Sequence, residues 1–443
     1  MTGRYKAYPE YKDSGIDWLG EIPESWIALP IKRVSSFTTG MTPSTAVSEY
    51  YADDETDYEW IRPEDIKEAS ESVSASKFLT NLGWKTQRVV PAQSSLICCI
   101  GTIGKTGYSL KPVTTNQQIT AATFNLSPKY YFYVLLAARA ELEQMSTGNV
   151  VQILNTERFG RLYVPFITEN EALQIANFLD HETAKIDTLI AKQEKLIELL
   201  KEKRQAVISH AVTQGLNPNA PMKNSGVEWL GEVPEHWDRS RLGFECSVKA
   251  RLGWKGLKAD EYVPEGYIFL ATPNIKGSEI DFENVNYITK QRYDESPEIM
   301  LQEKDLLVTK DGSTTGTTNL VRKLPAPATV NSSIAVIRSR GNILPEYLYY
   351  FFVSTYTQNV IKRMQGGMGV PHLFQADLRW FHILLPSNTE QESIAKYLDT
   401  QTAKCDLLIE KATNAIQLMK ERKIALISAA VTGKIDVREW SQV

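Results

Sequence analysis

The sequence predicts a mixed α/β protein organised as an internal pseudo-twofold repeat, with two globular segments joined by two long antiparallel helices that form a coiled coil. Three observations carry this prediction. First, Trp18-Leu19-Gly20-Glu21-Ile22-Pro23-Glu24-Ser25-Trp26 returns as Trp229-Leu230-Gly231-Glu232-Val233-Pro234-Glu235-His236-Trp237, an offset of 211. Second, two long stretches without proline, each with a helical apolar stripe, match one another at an offset of 219. Third, between these matched ends the offset drifts, from 211 at Gly101 and Gly312 through 215 at Asn116 and Asn331 to 217 at Pro128 and Pro345. Insertions therefore fall in a divergent middle, as expected when the ends build a common frame and the middles recognise different things.

In chain order this gives a framework segment at 1–26, a globular segment at 27–166 and a central helical spacer at 167–214. It then gives a repeated framework segment at 215–237, a second globular segment at 238–387 and a C-terminal helical spacer at 388–443. Within the globular segments, Val89–Thr102 and Asp305–Gly312 alternate or run apolar and leave through glycine, as strand–turn units do. Pro128 and Pro345 suit the first turn of a helix. The aromatics that follow, Tyr130, Tyr131, Phe132 and Tyr133, or Tyr347, Tyr349, Tyr350, Phe351 and Phe352, fit a core better than a base-stacking surface. From Gln174 to Thr213 the apolar stripe is nearly heptad, and at ~1.5 Å per residue such a helix is about 60 Å long. That exceeds what a small domain buries, so the expected partner is the other copy. The residues expected to pack the pair are Ile186, Leu189, Leu196, Leu200 and Val207, with Leu408, Ile416, Met419 and Leu426 from the second copy.

A length of 443 residues suggests about three domains at roughly 150 residues each. No apolar run approaches the ~20 residues of a membrane span. Met1 to Glu10 lacks the apolar stretch of a secretory signal, so a cytoplasmic protein without membrane contact is expected. The four cysteines form no C-x-x-C pair, and Cys98-Cys99 lies in the apolar run Leu96–Ile100, where buried, reduced thiols are expected. The five histidines show no ligand spacing, so neither a metal nor a cofactor is expected. A net charge of −4 offers no overall attraction to nucleic acid, and any DNA contact has to come from local patches.

Gly101-Thr102-Ile103-Gly104-Lys105-Thr106 ends like a phosphate-binding loop, but Cys99 stands where its first glycine belongs and Gly312 to Thr317 contains no lysine. A glycine turn after a buried strand is the better reading. No Asn/Asp-Pro-Pro-aromatic run for base methylation occurs, and Glu421-Arg422-Lys423 reads as a solvated helix face. The positive feature is the cluster Arg239, Arg241, Lys249, Arg251, Lys255 and Lys258 with Trp254, which suits phosphate contact. Lys77, Lys85, Arg88 and Lys105 are its weaker equivalent in the first segment. Asn116 and Gln117 are candidates for base contact, with a turn at a strand end as the alternative.

The doubled Trp-Leu-Gly-Glu-Ile/Val-Pro-Glu-x-Trp motif, the Gly101 to Lys105 turn, and the matched runs Glu171-Ala172-Leu173-Gln174-Ile175-Ala176 and Glu390-Gln391-Glu392-Ser393-Ile394-Ala395 resemble the DNA-specificity subunit of type I restriction-modification systems. The resemblance covers nearly the whole chain, and the repeat layout is its specific part. It implies that the globular segments are target recognition domains, each reading one half of a split asymmetric sequence in double-stranded DNA. It also implies that the helices set the spacer and dock two modification (methyltransferase) subunits, which restriction (translocase/endonuclease) subunits join. The chain itself would be non-catalytic. Ala172-Leu173 in place of Gln391-Glu392, and the missing lysine of the second turn, depart from the pattern. Two other classes stay open on residues alone, a duplicated hydrolase and a helical adaptor without DNA readout. The aligned copies share glycine, proline, aromatic and apolar positions rather than His, Asp or Cys, which speaks against the first. The purified chain by itself should neither methylate nor cleave DNA nor hydrolyse ATP; turnover in any of these three assays would overturn the non-catalytic reading.

Overall fold

The computed structural model describes residues 5–67, 72–227, 230–251, 257–364 and 372–441. Two compact units result, Met1–Gln193 with Asn414–Val443, and Glu194–Thr413. The first long helix, Glu169–Gln214, and the second, Asn388–Val431, each contribute residues to both.

In the first unit the framework strands Tyr11–Asp13 and Glu21–Pro23 pair antiparallel. Ile27–Pro30 pairs antiparallel with Tyr163–Phe166, so the globular segment leaves the framework and returns to it on neighbouring strands. Between them lies a four-stranded antiparallel sheet in the order Ser35–Thr39, Ile119–Phe124, Ser94–Cys98, Thr106–Ser109. Alternation along the strands sends Ile97, Ala122 and Phe124 into the core that contains the helix Pro128–Ala137, and Leu96, Cys98, Ile119 and Ala121 into a second core with Ile61, Ile66, Val73 and Val90. Burial on both faces is why this stretch of sequence reads as a continuous apolar run. All four cysteines are free and buried, and burial pushes the Cys99 thiol up to about 11.

The second unit repeats the plan. Asp238–Arg241 pairs with His382–Leu385, and the sheet runs Cys246–Lys249, Ile334–Ser339, Leu306–Thr309, Thr318–Leu320. Its outer face carries a three-stranded sheet, Asn286–Ile288, Tyr267–Leu270, Ala328–Val330. The first unit has two-residue pairings in that layer, Trp60–Ile61 with Thr114–Thr115 and Tyr51–Ala52 with Phe78–Leu79. The copies thus agree in the inner sheet and differ in the layer laid over it.

The aromatic helices are core, and each grips both long helices within its own unit. Tyr130 Oη donates to the Val431 carbonyl at 3.3 Å, and one turn on Tyr133 Oη donates to the Asp180 carboxylate at 2.6 Å. In the second unit Tyr347 donates to the Val212 carbonyl at 3.3 Å and Tyr350 to Asp399 at 2.6 Å. Val212 and Val431 lie in last turns, where carbonyls lack intrahelical partners. Complete burial holds the Tyr130 and Tyr347 phenols far above their ordinary range, so they stay donors. The framework is anchored similarly. Trp26 Nε1 donates to Glu171 at 3.1 Å and Trp237 Nε1 to Glu390 at 3.2 Å, both carboxylates in first helical turns, where the helix dipole favours them.

The long helices turn inward Ile186, Ile190, Gln193, Ile197, Leu200, Arg204, Val207 and Ala211, with Cys405, Ile409, Ala412, Ile416, Met419, Lys423, Leu426 and Ala430 at the matching positions. Spacings alternate between four and three, a heptad seam. In the first unit Lys423 Nζ donates to Asp187 at 2.7 Å, and in the second Arg204 Nε donates to Asp406 at 3.0 Å. These equivalent ion pairs fix an antiparallel register in each unit. The seam corrects part of the expected packing. Leu189, Leu196 and Leu408 are exposed at 49%, 42% and 48%, because each precedes the inward isoleucine by one residue, about 100° around the helix. Ile186, Leu200 and Leu426 are buried, and Val207, Ile416 and Met419 half-buried. Leu200→Ala should therefore cost about 2–3 kcal/mol and lower the urea midpoint of unfolding, while Leu196→Ala should stay within about 0.5 kcal/mol of the parent. Equal losses would put Leu196 back in the seam.

Candidate nucleic-acid interface

In the first unit Lys77, Lys85, Arg88 and Gln117 are exposed. Arg88 Nη1 donates to the Thr39 carbonyl at 3.2 Å, and the Thr42 hydroxyl donates to the Gln117 side-chain oxygen. Arg88 and Gln117 thus flank the loop that follows Ser35–Thr39. That loop is tight: a Cβ on Gly40 would stand 2.2 Å from the Thr115 carbonyl oxygen, so only glycine fits. Lys105 is half-buried, and its ammonium braces the Pro63 carbonyl at 3.0 Å. Asn116 departs from the expected base contact. It is buried, its Oδ1 accepts the Gln118 N–H at 3.1 Å and its Nδ2 donates to the Gln118 side chain at 2.9 Å. Asn331 accepts the Ser333 N–H in the same way at 3.1 Å, so both asparagines shape turns. The nearby glycine turn leaves no phosphate cradle at Gly104, whose N–H is bonded to the Cys98 carbonyl at 3.0 Å.

In the second unit Arg239, Lys249 and Lys258 are exposed, and Arg239 donates to the Ser225 carbonyl at 2.7 Å. The Arg241 guanidinium lies 4.3 Å from the centre of the Trp380 ring, which is 61% exposed. His382 sits beside them; burial, then Arg239 and Arg241, hold its imidazole below the ordinary histidine range. Arg251 does not join this surface. It is buried, with Nε on the Val330 carbonyl at 3.1 Å and the other nitrogens toward Ser296 and Thr329, because the outer three-stranded sheet closes over it. Lys255 and Trp254 lie outside the described residues.

Trp380, Arg379 and Arg340 belong to the Arg241 neighbourhood, and no sequence motif singles them out. Strand pairing between Asp238–Arg241 and His382–Leu385 brings distant segments together, and no local pattern announces it. Among the described residues no group of three or more His, Cys, Asp or Glu could hold a metal, and no helix is long and apolar enough to cross a membrane. Arg251→Met should orphan the Val330 carbonyl and lower stability by about 1–3 kcal/mol in thermal unfolding, with Lys249→Ala unchanged. A silent Arg251→Met would return this residue to the surface.

Residues 23–199 and 235–418 match the family described as the type I restriction modification DNA specificity domain. The chain is 22% identical over 429 residues to the type I restriction enzyme MjaVIII specificity subunit of Methanocaldococcus jannaschii, covering 94% of each. It is 23% identical over 443 residues to the EcoKI specificity subunit of Escherichia coli strain K12, covering 95% of this chain and 91% of that one. The fold matches a chain from a structural study of complex assembly and conformational transition in the type I R-M system, with a TM-score of 0.70 at 14% identity over 93% of this chain and 98% of the other. The matched residues cover both halves of the repeat and most of the sequence, and the chain belongs to the type I restriction modification DNA specificity family.

Proposed function

We propose that this chain is the non-catalytic DNA-specificity subunit of a type I restriction-modification complex acting in the cytosol, where its four free thiols are at home. Each globular segment, 27–166 and 238–387, is a target recognition domain that reads one half of a split asymmetric duplex sequence. The framework segments 1–26 and 215–237 and the helical spacers 167–214 and 388–443 set the gap between the halves and dock two modification subunits, which restriction subunits join. Methyl transfer, ATP-driven translocation and cleavage belong to those partners. Readout falls to the divergent outer layers and the loops beside them, with Gln117 and Arg88 as base-contact candidates and Lys77, Lys85, Lys249 and Lys258 as phosphate contacts.

The observation that carries this reading is that each globular segment begins and ends on a pair of adjacent strands, Ile27–Pro30 beside Tyr163–Phe166 and Asp238–Arg241 beside His382–Leu385. A segment closed in this way is exchangeable without disturbing its frame, provided the replacement keeps tyrosines to meet Val212 and Asp399. Replacing 238–387 by the corresponding segment of another family member should change one half of the methylated motif and leave the other intact, as read by methylome sequencing. A motif unchanged in both halves would defeat the division of labour. Inserting seven residues after Gln193 and seven after Thr413 keeps the heptad phase in both helices and adds about 10.5 Å, roughly three base-pair steps. Both halves should persist with a longer gap, and a scrambled half would count against the helices as the spacer.

A further inference from the structure

A glycine and a cation change places between the two units at one crossing. In the first unit the Lys32 N–H meets the Gly160 carbonyl at 3.4 Å, and a Cβ on Gly160 would sit 3.4 Å from the Lys32 Cβ. At the equivalent crossing of the second unit the residues are Gly243 and Arg379, and a Cβ on Gly243 would sit 3.0 Å from the Arg379 Cβ. At Gly243 the approach is tight enough that a larger residue would press on Arg379, whereas at Gly160 a Cβ would make ordinary contact with Lys32. Packing asks nothing of the other side's charge, yet in each copy that residue is a cation, contributed by opposite segments of the chain. Arg379 also serves the fold through the Val248 carbonyl, so what the two copies share at this crossing is an exposed positive charge.

The surroundings agree. Lys32 and Arg33 are exposed and make no ion pair among the described residues. Arg158 and Arg161 stand on and just beyond the adjacent helical turn Thr156–Phe159, with Glu157 the acid at hand, 2.5 Å from Arg161. In the second unit Arg241 rests on Trp380, Arg340 donates to the Gly243 and Phe244 carbonyls at 3.3 and 3.2 Å, and Arg379 donates to the Val248 carbonyl at 3.3 Å. None of these three has a carboxylate partner among the described residues; Glu245 is buried and occupied by Ser240 and Asn342, while Asp238 and Asp377 remain nearby in sequence. Cations held by carbonyls and an indole keep their charge available to a polyanion. The occupant that fits both copies is the sugar-phosphate backbone of a duplex. Bases differ between the halves of a target, and the protein's outer layers differ accordingly. The backbone offers both domains the same charge, so a cation recurs at the shared crossing, while the cations around it come from different positions: Arg33 and Arg161 align with Phe244 and Trp380.

We infer that Lys32, Arg33 and Arg161 in the first unit, and Arg241, Arg340 and Arg379 in the second, grip the phosphate backbone of duplex DNA and supply the sequence-independent share of binding. The inference rests on the DNA-specificity role proposed above. It is tested on the complex with its modification subunits, using a duplex that carries the motif found by methylome sequencing and a duplex of scrambled sequence, with affinity followed against salt. Changing either trio to glutamine should weaken both probes by the same factor and flatten the log affinity against log salt slope by about 0.9 for each phosphate no longer neutralised, about 2–3 for a trio. The methylated motif should not change, and Arg→Lys replacements at 241, 340 and 379 should retain the slope. An unchanged slope, a loss confined to the target duplex, or shedding of modification subunits on gel filtration would each overturn the inference. Failure of the parent complex to tell the target from the scrambled duplex would instead sink the specificity role on which it rests.

Discussion

Each long helix ends against a buried tyrosine. The last carbonyls of a helix lack partners inside it, and a phenol taken out of water must also find one. Tyr130 on Val431, and Tyr347 on Val212, satisfy both needs with one hydrogen bond each. One turn along the same short helices, Tyr133 and Tyr350 hold Asp180 and Asp399 near the start of the other long helix. A ten-residue and a nine-residue aromatic helix thereby tie the beginning of one long helix to the end of the other in each unit. The inner sheet, the framework strands and the seam ion pairs are arranged around that double grip.

The sequence made the repeat, the long helices and the buried aromatics legible, because each leaves a signal that survives without knowledge of neighbours. Offsets of 217 for the tyrosines and 219 for the carbonyls they meet reappear as equivalent hydrogen bonds. The seam register was not legible, because Leu189-Ile190, Leu196-Ile197 and Leu408-Ile409 present two adjacent apolar stripes, and composition alone does not say which faces in. The burial of Arg251 is hidden from the sequence for a different reason. Its partners Ser296, Thr329 and Val330 are 45 to 79 residues away, in a layer whose closure no local pattern foretells. Asn116 carried both readings in its residue type, and the turn took it.

Within each unit the design separates constancy from variation by depth. The sheet facing the long helices is the same in both, down to strand order, whereas the layer on its far side is built from two short pairings in one copy and a three-stranded sheet in the other. The outer layers are held by apolar clusters of their own, Ile61, Val73 and Val90 in one unit and Ile268, Ile299 and Val330 in the other, which meet the outward face of the inner sheet at Leu96 and Ile119 or at Leu307 and Val336. Exposed positions of the outer layer are able to change while those apolar contacts stay.

The double grip also says something about ancestry. Each unit is completed by a helix end that comes from the other copy's stretch of chain, so a single unduplicated copy would have had no helix end for its own tyrosine. Its forebear would have been a symmetric homodimer, with two identical chains exchanging tails. Fusing two such copies would make that exchange intramolecular, at the high effective concentration of a tethered partner. It would also free the two middles from the identity that symmetry imposes, so that a change in one need not appear in the other.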